Sequence, residues 1–218
     1  MDPYEHMYDA GDGNDATTLV LLHGSGGDAA HFMRMGRMAA PQAALLAVEG
    51  NVDEQGVARF YRRVSADEYD LEDLFDRGAA LSGFLTDVLS RHGRDPSRAV
   101  GVGYTNGANM LAYLLFTRPQ LLGGYVLMHP MVPYKPAPNE GIVRKPVLIT
   151  AGTDDPVATE DNIRNLQSWL EGQGAKVDVM MHDGKRELRD EEVERLSAWL
   201  DQLGFVDRAR SRAMSTEV

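Results

Sequence analysis

The sequence predicts an α/β fold, a mostly parallel twisted sheet with helices on both faces. Three observations predict it. Short apolar runs alternate with stretches of helical periodicity along the chain. The runs at residues 17–22, 43–48, 99–103, 125–128, 147–151 and 176–181 are short and aliphatic, as buried strands are. The run ending at Gly103 passes directly into Tyr104-Thr105-Asn106-Gly107 and then into a helical pattern. This Gly-x-Thr-x-Gly layout is that of a sharp strand-to-helix turn that carries one hydroxyl at its tip.

The elements follow in order. Met7 and Tyr8 read as a short edge strand, and Gly11, Gly13 and Asn14 mark a turn after them. The strand at 17–22 runs into His23-Gly24-Ser25-Gly26-Gly27, and a short helix is expected over 28–38. The strand at 43–48 is followed by a long loop over 49–65. The clearest helix spans 67–92, with Leu71, Leu74, Phe75, Leu81, Leu85, Val88 and Leu89 at helical spacing and Gly93 as its stop. After the strand at 99–103 a helix covers 106–117. Five prolines between 129 and 146 require an irregular loop after the strand at 125–128. The strand at 147–151 leads to Asp155, a helix at 160–171, the last strand at 176–181, and a last helix at 190–203. Residues 1–207 read as one domain, and the polar stretch 208–218 as a disordered tail.

Composition sets bounds on partners. The chain has 218 residues, of which 43% are hydrophobic, enough for a sizeable core. Its 33 acidic against 22 basic residues give a net charge of −11, which disfavours nucleic acid and anionic membranes. With no cysteine, disulfides, thiolate metal sites and a Cys nucleophile are excluded. No basic region followed by an apolar one opens the sequence and no apolar run is of bilayer length, so the expected location is the cytoplasm. No set of His, Asp or Glu shows metal-ligand spacing, and no cofactor is expected.

In a parallel sheet the working site lies beyond the carboxyl ends of the strands. Four loops there carry reactive residues. The loop with Ser25 and the turn with Asn106 can aim backbone N–H groups at a developing oxyanion. Asp155 follows the strand after the elbow, and residues 182–188 follow the last strand.

The motifs His23-Gly24-Ser25-Gly26-Gly27, Arg59-Phe60-Tyr61-Arg62-Arg63, Gly103 to Asn109, Gly152 to Pro156 and His182-Asp183-Gly184 resemble, in order and spacing, those of the small carboxylesterase/phospholipase branch of the α/β-hydrolases. That branch includes dienelactone-hydrolase-like and acyl-protein-thioesterase-like proteins. The resemblance spans residues 17–203 and implies the three-layer α/β-hydrolase fold, ester or thioester hydrolysis, a small-molecule substrate, and a homodimer as one available state. It assigns the triad positions to Thr105, Asp155 and Arg186, the oxyanion hole to Ser25 and Asn106, and part of the substrate wall to His23, Arg59, Phe60, Tyr61 and Arg63.

The departures fall on the chemistry. Where the family pattern has Ser this chain has Thr105, and where it has the catalytic His this chain has Arg186. A guanidinium has five donors and no acceptor, so it cannot act as a general base. Thr can serve as nucleophile only when a base is supplied. His182 and His129 are the two candidates for a substitute base. Two readings follow: a hydrolase with a modified triad and weak or absent turnover, or a binding protein on the hydrolase fold whose arginine attracts a carboxylate or another anion.

Overall fold

Seven apolar runs pair into one sheet in the computed structural model, which describes residues 3–12, 16–65 and 68–206. The strands are β1 (His6–Asp9), β2 (Thr18–Leu22), β3 (Ala44–Val48), β6 (Ala99–Tyr104), β7 (Gly124–Met128), β8 (Pro146–Gly152) and β9 (Lys176–His182). Their order in space is β1-β3-β2-β6-β7-β8-β9. Only the edge strand β1 is antiparallel; it pairs with β3, and the other neighbours run parallel.

Side chains alternate across these strands and so divide the core in two. Leu19, Leu21, Leu45, Val100, Val102, Val126 and Leu148 point to one face, where α1 (Ala29–Ala39) and α5 (Asp190–Gln202) cover them. Val20, Leu22, Leu46, Tyr125, Leu127, Val147 and Ile149 point to the other. There they meet α2 (Leu71–Arg91), α3 (Asn106–Thr117) and α4 (Glu160–Gly172). Removing each such Leu, Ile or Val side chain from water stabilises the fold by about 1.5–3 kcal/mol. The expected three layers are therefore present. No helix among the described residues is long and apolar enough to cross a membrane.

The structure corrects four local expectations. Residues 49–65 are not a plain loop, because β4 (Val52–Glu54) and β5 (Val57–Arg59) form a two-stranded hairpin. Its turn residues Gln55 and Gly56 both have positive φ, 57° and 85°, the requirement of the tight turn whose twist matches a hairpin. The second helix starts at Leu71 and not at 67, because the Asp70 side chain accepts from the Asp73 N–H at 3.0 Å and caps it. Phe75 on that helix is exposed and stacks on Tyr113. The loop after β7 contains one short 3-10 turn, Glu140–Ile142. The expected tail at 208–218 lies outside the described residues.

The topology gathers the loops of interest. Residues 23–25 leave β2, Thr105 leaves β6, His129 leaves β7, Asp155 follows β8, and residues 183–188 follow β9. All of these are carboxyl ends of parallel strands, so the loops converge on one edge of the sheet.

Candidate active site

Thr105 sits between β6 and α3 with φ 47° and ψ −105°. For a β-branched residue this left-handed region is strained, by about 1–3 kcal/mol. Backbone bonds hold it there. The Thr105 N–H donates to the Met128 carbonyl at 2.9 Å, and its carbonyl accepts from the Asn109 N–H at 2.9 Å. The flanking glycines have a steric reason. A Cβ on Gly103 would lie 2.6 Å from the Gly107 carbonyl oxygen, and one on Gly107 would lie 2.3 Å from that of Leu22. Strand, turn and helix can be stacked this closely only without side chains at those points.

Thr105 opens into a cavity of about 520 Å³ whose wall includes Ser25, Arg59, Arg63, Asn106, His129 and Arg186. Asn106 is the first residue of α3, so its N–H has no acceptor within the helix. Its side-chain oxygen accepts from the Phe60 N–H at 2.7 Å, whereas its Nδ2 is buried without a partner. Arg59 donates to the Ser25 hydroxyl, and its Nε lies 2.7 Å from Glu54 Oε2. Arg63 Nε lies 3.3 Å from the same oxygen. Three guanidiniums therefore border the cavity, while two carboxylates, Glu54 and Asp155, contact them. An acidic chain thus carries a local guanidinium excess here.

Asp155 is the hub of the polar groups behind Thr105. Its Oδ1 accepts from the Val157 and Ala158 N–H groups at 2.8 and 3.0 Å. Its Oδ2 faces His129 Nδ1 at 3.1 Å and Arg186 Nε at 3.3 Å. Burial would raise the Asp155 pKa, but these donors outweigh it and hold the carboxyl below the usual range. The other ring nitrogen of His129, Nε2, lies 3.2 Å from Glu192 Oε1. Burial opposes charge on this imidazole, yet the two carboxylates together raise its pKa. Glu192, fully buried on α5, is lowered despite burial by bonds from His129, Thr150 and the Arg189 N–H.

This arrangement corrects several sequence expectations. His129 lines the cavity, but both of its ring nitrogens face carboxylates, so neither is available to accept a proton from Thr105. His182 is buried at the end of β9 and does not line the cavity. Neither histidine is therefore placed as a substitute base. His23, Phe60 and Tyr61 are also fully buried and stand behind the wall. His23 Nε2 accepts from the Gly50 N–H at 2.9 Å and its Nδ1 donates to the Gly24 carbonyl at 2.7 Å, which ties the loop after β2 to the loop after β3. The Tyr61 hydroxyl accepts from Asn109 Nδ2 at 2.9 Å. Phe60 and Tyr61 shape the site through Asn106 and Asn109, His23 through the loops it ties together, and none of the three lines the cavity.

Sequence reasoning missed Glu192 altogether. It reads as an ordinary first-turn carboxylate of the last helix, and only its full burial distinguishes it. Structure also brings His129, His182 and Glu192 together, with one ligand atom from each within 4.8 Å of the others. The sequence spacing, 53 residues and then 10, gave no sign of that set.

Residues 58–186 match the family model described as the dienelactone hydrolase family. The chain belongs to the dienelactone hydrolase family. Its relatives include the protein MhqD of Bacillus subtilis (strain 168), 36% identical over 195 residues, which cover 89% of this chain and 96% of the relative. Among solved structures, this member of the family is similar to the carboxylesterase of Bacillus cereus, with 35% identity, a TM-score of 0.85, and coverage of 92% of this chain and 94% of the other. It is also similar to a carboxylesterase from Mesorhizobium loti, with 27% identity, a TM-score of 0.82, and coverage of 91% and 93%. The α/β-hydrolase fold is thus common ground between this chain and known carboxylesterases.

Proposed function

We propose that this protein is a cytoplasmic, carboxylesterase-like family member whose cavity holds a small ester or carboxylate and whose hydrolytic turnover is weak or absent. The observation that carries this reading is the Arg186–Asp155 ion pair, Nε to Oδ2 at 3.3 Å. In a hydrolase triad the acid orients an imidazole that accepts the nucleophile's proton. Here the acid's partner is a group without a lone pair, and the one imidazole on the cavity wall has both nitrogens facing carboxylates. Thr105 then has no proton acceptor and stays a neutral hydroxyl. What remains supports binding: the N–H groups of Ser25 and Asn106, and three guanidiniums that can clamp a carboxylate in bidentate fashion.

The test is hydrolysis of a short-chain aryl ester by wild type, Arg186→His, and Thr105→Ser combined with Arg186→His. Wild type is expected at background. The double variant is expected to gain at least about a hundredfold, since a complete triad contributes far more than the oxyanion hole and binding alone. Turnover by wild type that Thr105→Ala abolishes would overturn the reading.

A further inference from the structure

His129 borders the cavity, and behind it His182 and Glu192 complete a cluster to which the reading above gives no role of its own. His129 sits at the exit of β7, His182 ends β9, and Glu192 is in the first turn of α5. All three side chains are buried. Glu192 Oε1 lies 3.2 Å from His129 Nε2, and Oε2 lies 3.4 Å from His182 Nε2. The second approach lacks hydrogen-bond alignment, so that neither ring nitrogen of His182 has a hydrogen-bond partner. A buried imidazole with both nitrogens unpaired is costly and calls for an occupant.

We propose that His129 Nε2, His182 Nε2 and a Glu192 carboxylate oxygen form a binding site for one divalent first-row metal ion of the zinc class. The spacing suits it. Zinc ligands lie about 2.0–2.2 Å from the ion, which puts two tetrahedral neighbours about 3.4 Å apart. One oxygen, Glu192 Oε2, lies 3.4 Å from His182 Nε2 and 3.5 Å from His129 Nε2, close to that value. All three ligand atoms lie within 4.8 Å of one another, so a small contraction completes the set. Two imidazoles and one carboxylate are a ligand set that zinc accepts, and one that magnesium or calcium, which seek oxygen, does not.

The outer contacts agree. A metal-bound histidine characteristically donates its other ring N–H to a carboxylate, which fixes the tautomer. His129 Nδ1 faces Asp155 Oδ2 at 3.1 Å, and this leaves Nε2 directed at Glu192 and toward His182. Thr150 and the Arg189 N–H hold the Glu192 carboxylate in place. Charge agrees as well. Asp155 and Glu192 have one permanent cation among their contacts, Arg186, and the second positive charge sits on His129 only when it is protonated, a place that a metal ion on its Nε2 can take instead. Two buried carboxylates facing one another's neighbours favour a cation at this point. His129 also lines the cavity, which provides a route of entry.

The experiment is zinc titration of the chelator-treated full-length protein, with bound metal counted by mass spectrometry and thermal unfolding followed alongside. Wild type is expected to take up one zinc per chain. Its Tm is expected to rise by about 5–10 °C at free zinc a hundredfold above Kd. His182→Leu removes one ligand and breaks no side-chain hydrogen bond, so it is expected to fold and to lose both effects. His31→Ala, at an exposed histidine of α1, is expected to keep both. Cobalt bound to wild type supplies a reading without any variant, as visible bands of tetrahedral nitrogen and oxygen ligation. Absence of stoichiometric uptake, octahedral cobalt bands, or equal binding by His182→Leu would overturn the proposal.

Discussion

His129 and Arg186 share a single oxygen: Nδ1 of the one lies 3.1 Å, and Nε of the other 3.3 Å, from Asp155 Oδ2. That oxygen is where a triad acid would hold its histidine, and two cationic groups compete for it. The consequences for stability are unequal. The Asp155 carboxylate is fully buried and accepts four bonds, whereas the Arg186 side chain is 37% exposed. Asp155→Ala is expected to cost about 3–5 kcal/mol, because it strands a buried cationic network. Arg186→Ala is expected to cost no more than about 1 kcal/mol, as solvent screens and replaces its contact. Urea unfolding of the two variants checks the ratio, and equal costs would contradict the assignment of Asp155 as the hub.

Ligand affinity responds in the opposite order. Small carboxylates are expected to bind with an affinity that falls as salt rises, since the wall carries three guanidiniums. Arg186→Ala is expected to weaken binding about tenfold or more, the worth of one charge-assisted hydrogen bond of about 1.5–3 kcal/mol. Calorimetric titration of acetate, benzoate and a neutral amide of similar size provides the measurement. Equal binding of the amide would argue against recognition by charge.

Two glycines on one helix separate conformational cost from steric need. Gly83 on α2 is exposed, and a Cβ there would meet nothing within 4 Å. Gly83→Ala is expected to stabilise the protein by about 0.5–1 kcal/mol. Gly78, five residues earlier, faces Tyr113, and a Cβ there would lie 2.2 Å from its ring. Gly78→Ala is expected to destabilise by about 1–3 kcal/mol as Tyr113 is displaced. Thermal unfolding of the pair gives opposite signs if the packing of α2 on α3 is as described.

Alkaline pH reports on the core. Burial pushes the Tyr4 phenol up to about 12, against the nearby Arg77, and likewise raises Tyr61, Tyr125 and Tyr134. A phenol raised in the folded state stabilises the fold below its unfolded pKa near 10, and that contribution is lost as pH rises through the folded value. Stability is therefore expected to hold to about pH 10 and to fall steeply from there to pH 12. Ultraviolet titration of tyrosinate should show these phenols ionising only together with unfolding. Independent, reversible ionisation of all eight tyrosines in the folded protein would show that the core is open.

By itself the sequence determined the sheet, its two covered faces, the sharp turn at Thr105, and the edge of the sheet where a site must lie. These depend on local physics: aliphatic runs of strand length, helical periodicity, and glycines at 103 and 107 that a close-packed turn requires. It also determined that position 186 holds a group without a lone pair, because that is a property of the residue type. The small hairpin around Gln55 and Gly56 escaped it, since its strands are three residues long and Gln carries no strong turn preference. Tertiary structure alone decided which polar groups meet. Whether His129 was a free base depended on Glu192, 63 residues away on another helix. Whether Phe60 and Tyr61 touched the cavity or stood behind it depended on how the hairpin folded against α3. Distances between loops on separate strands follow from sheet order and helix packing, and no spacing along the chain encodes them.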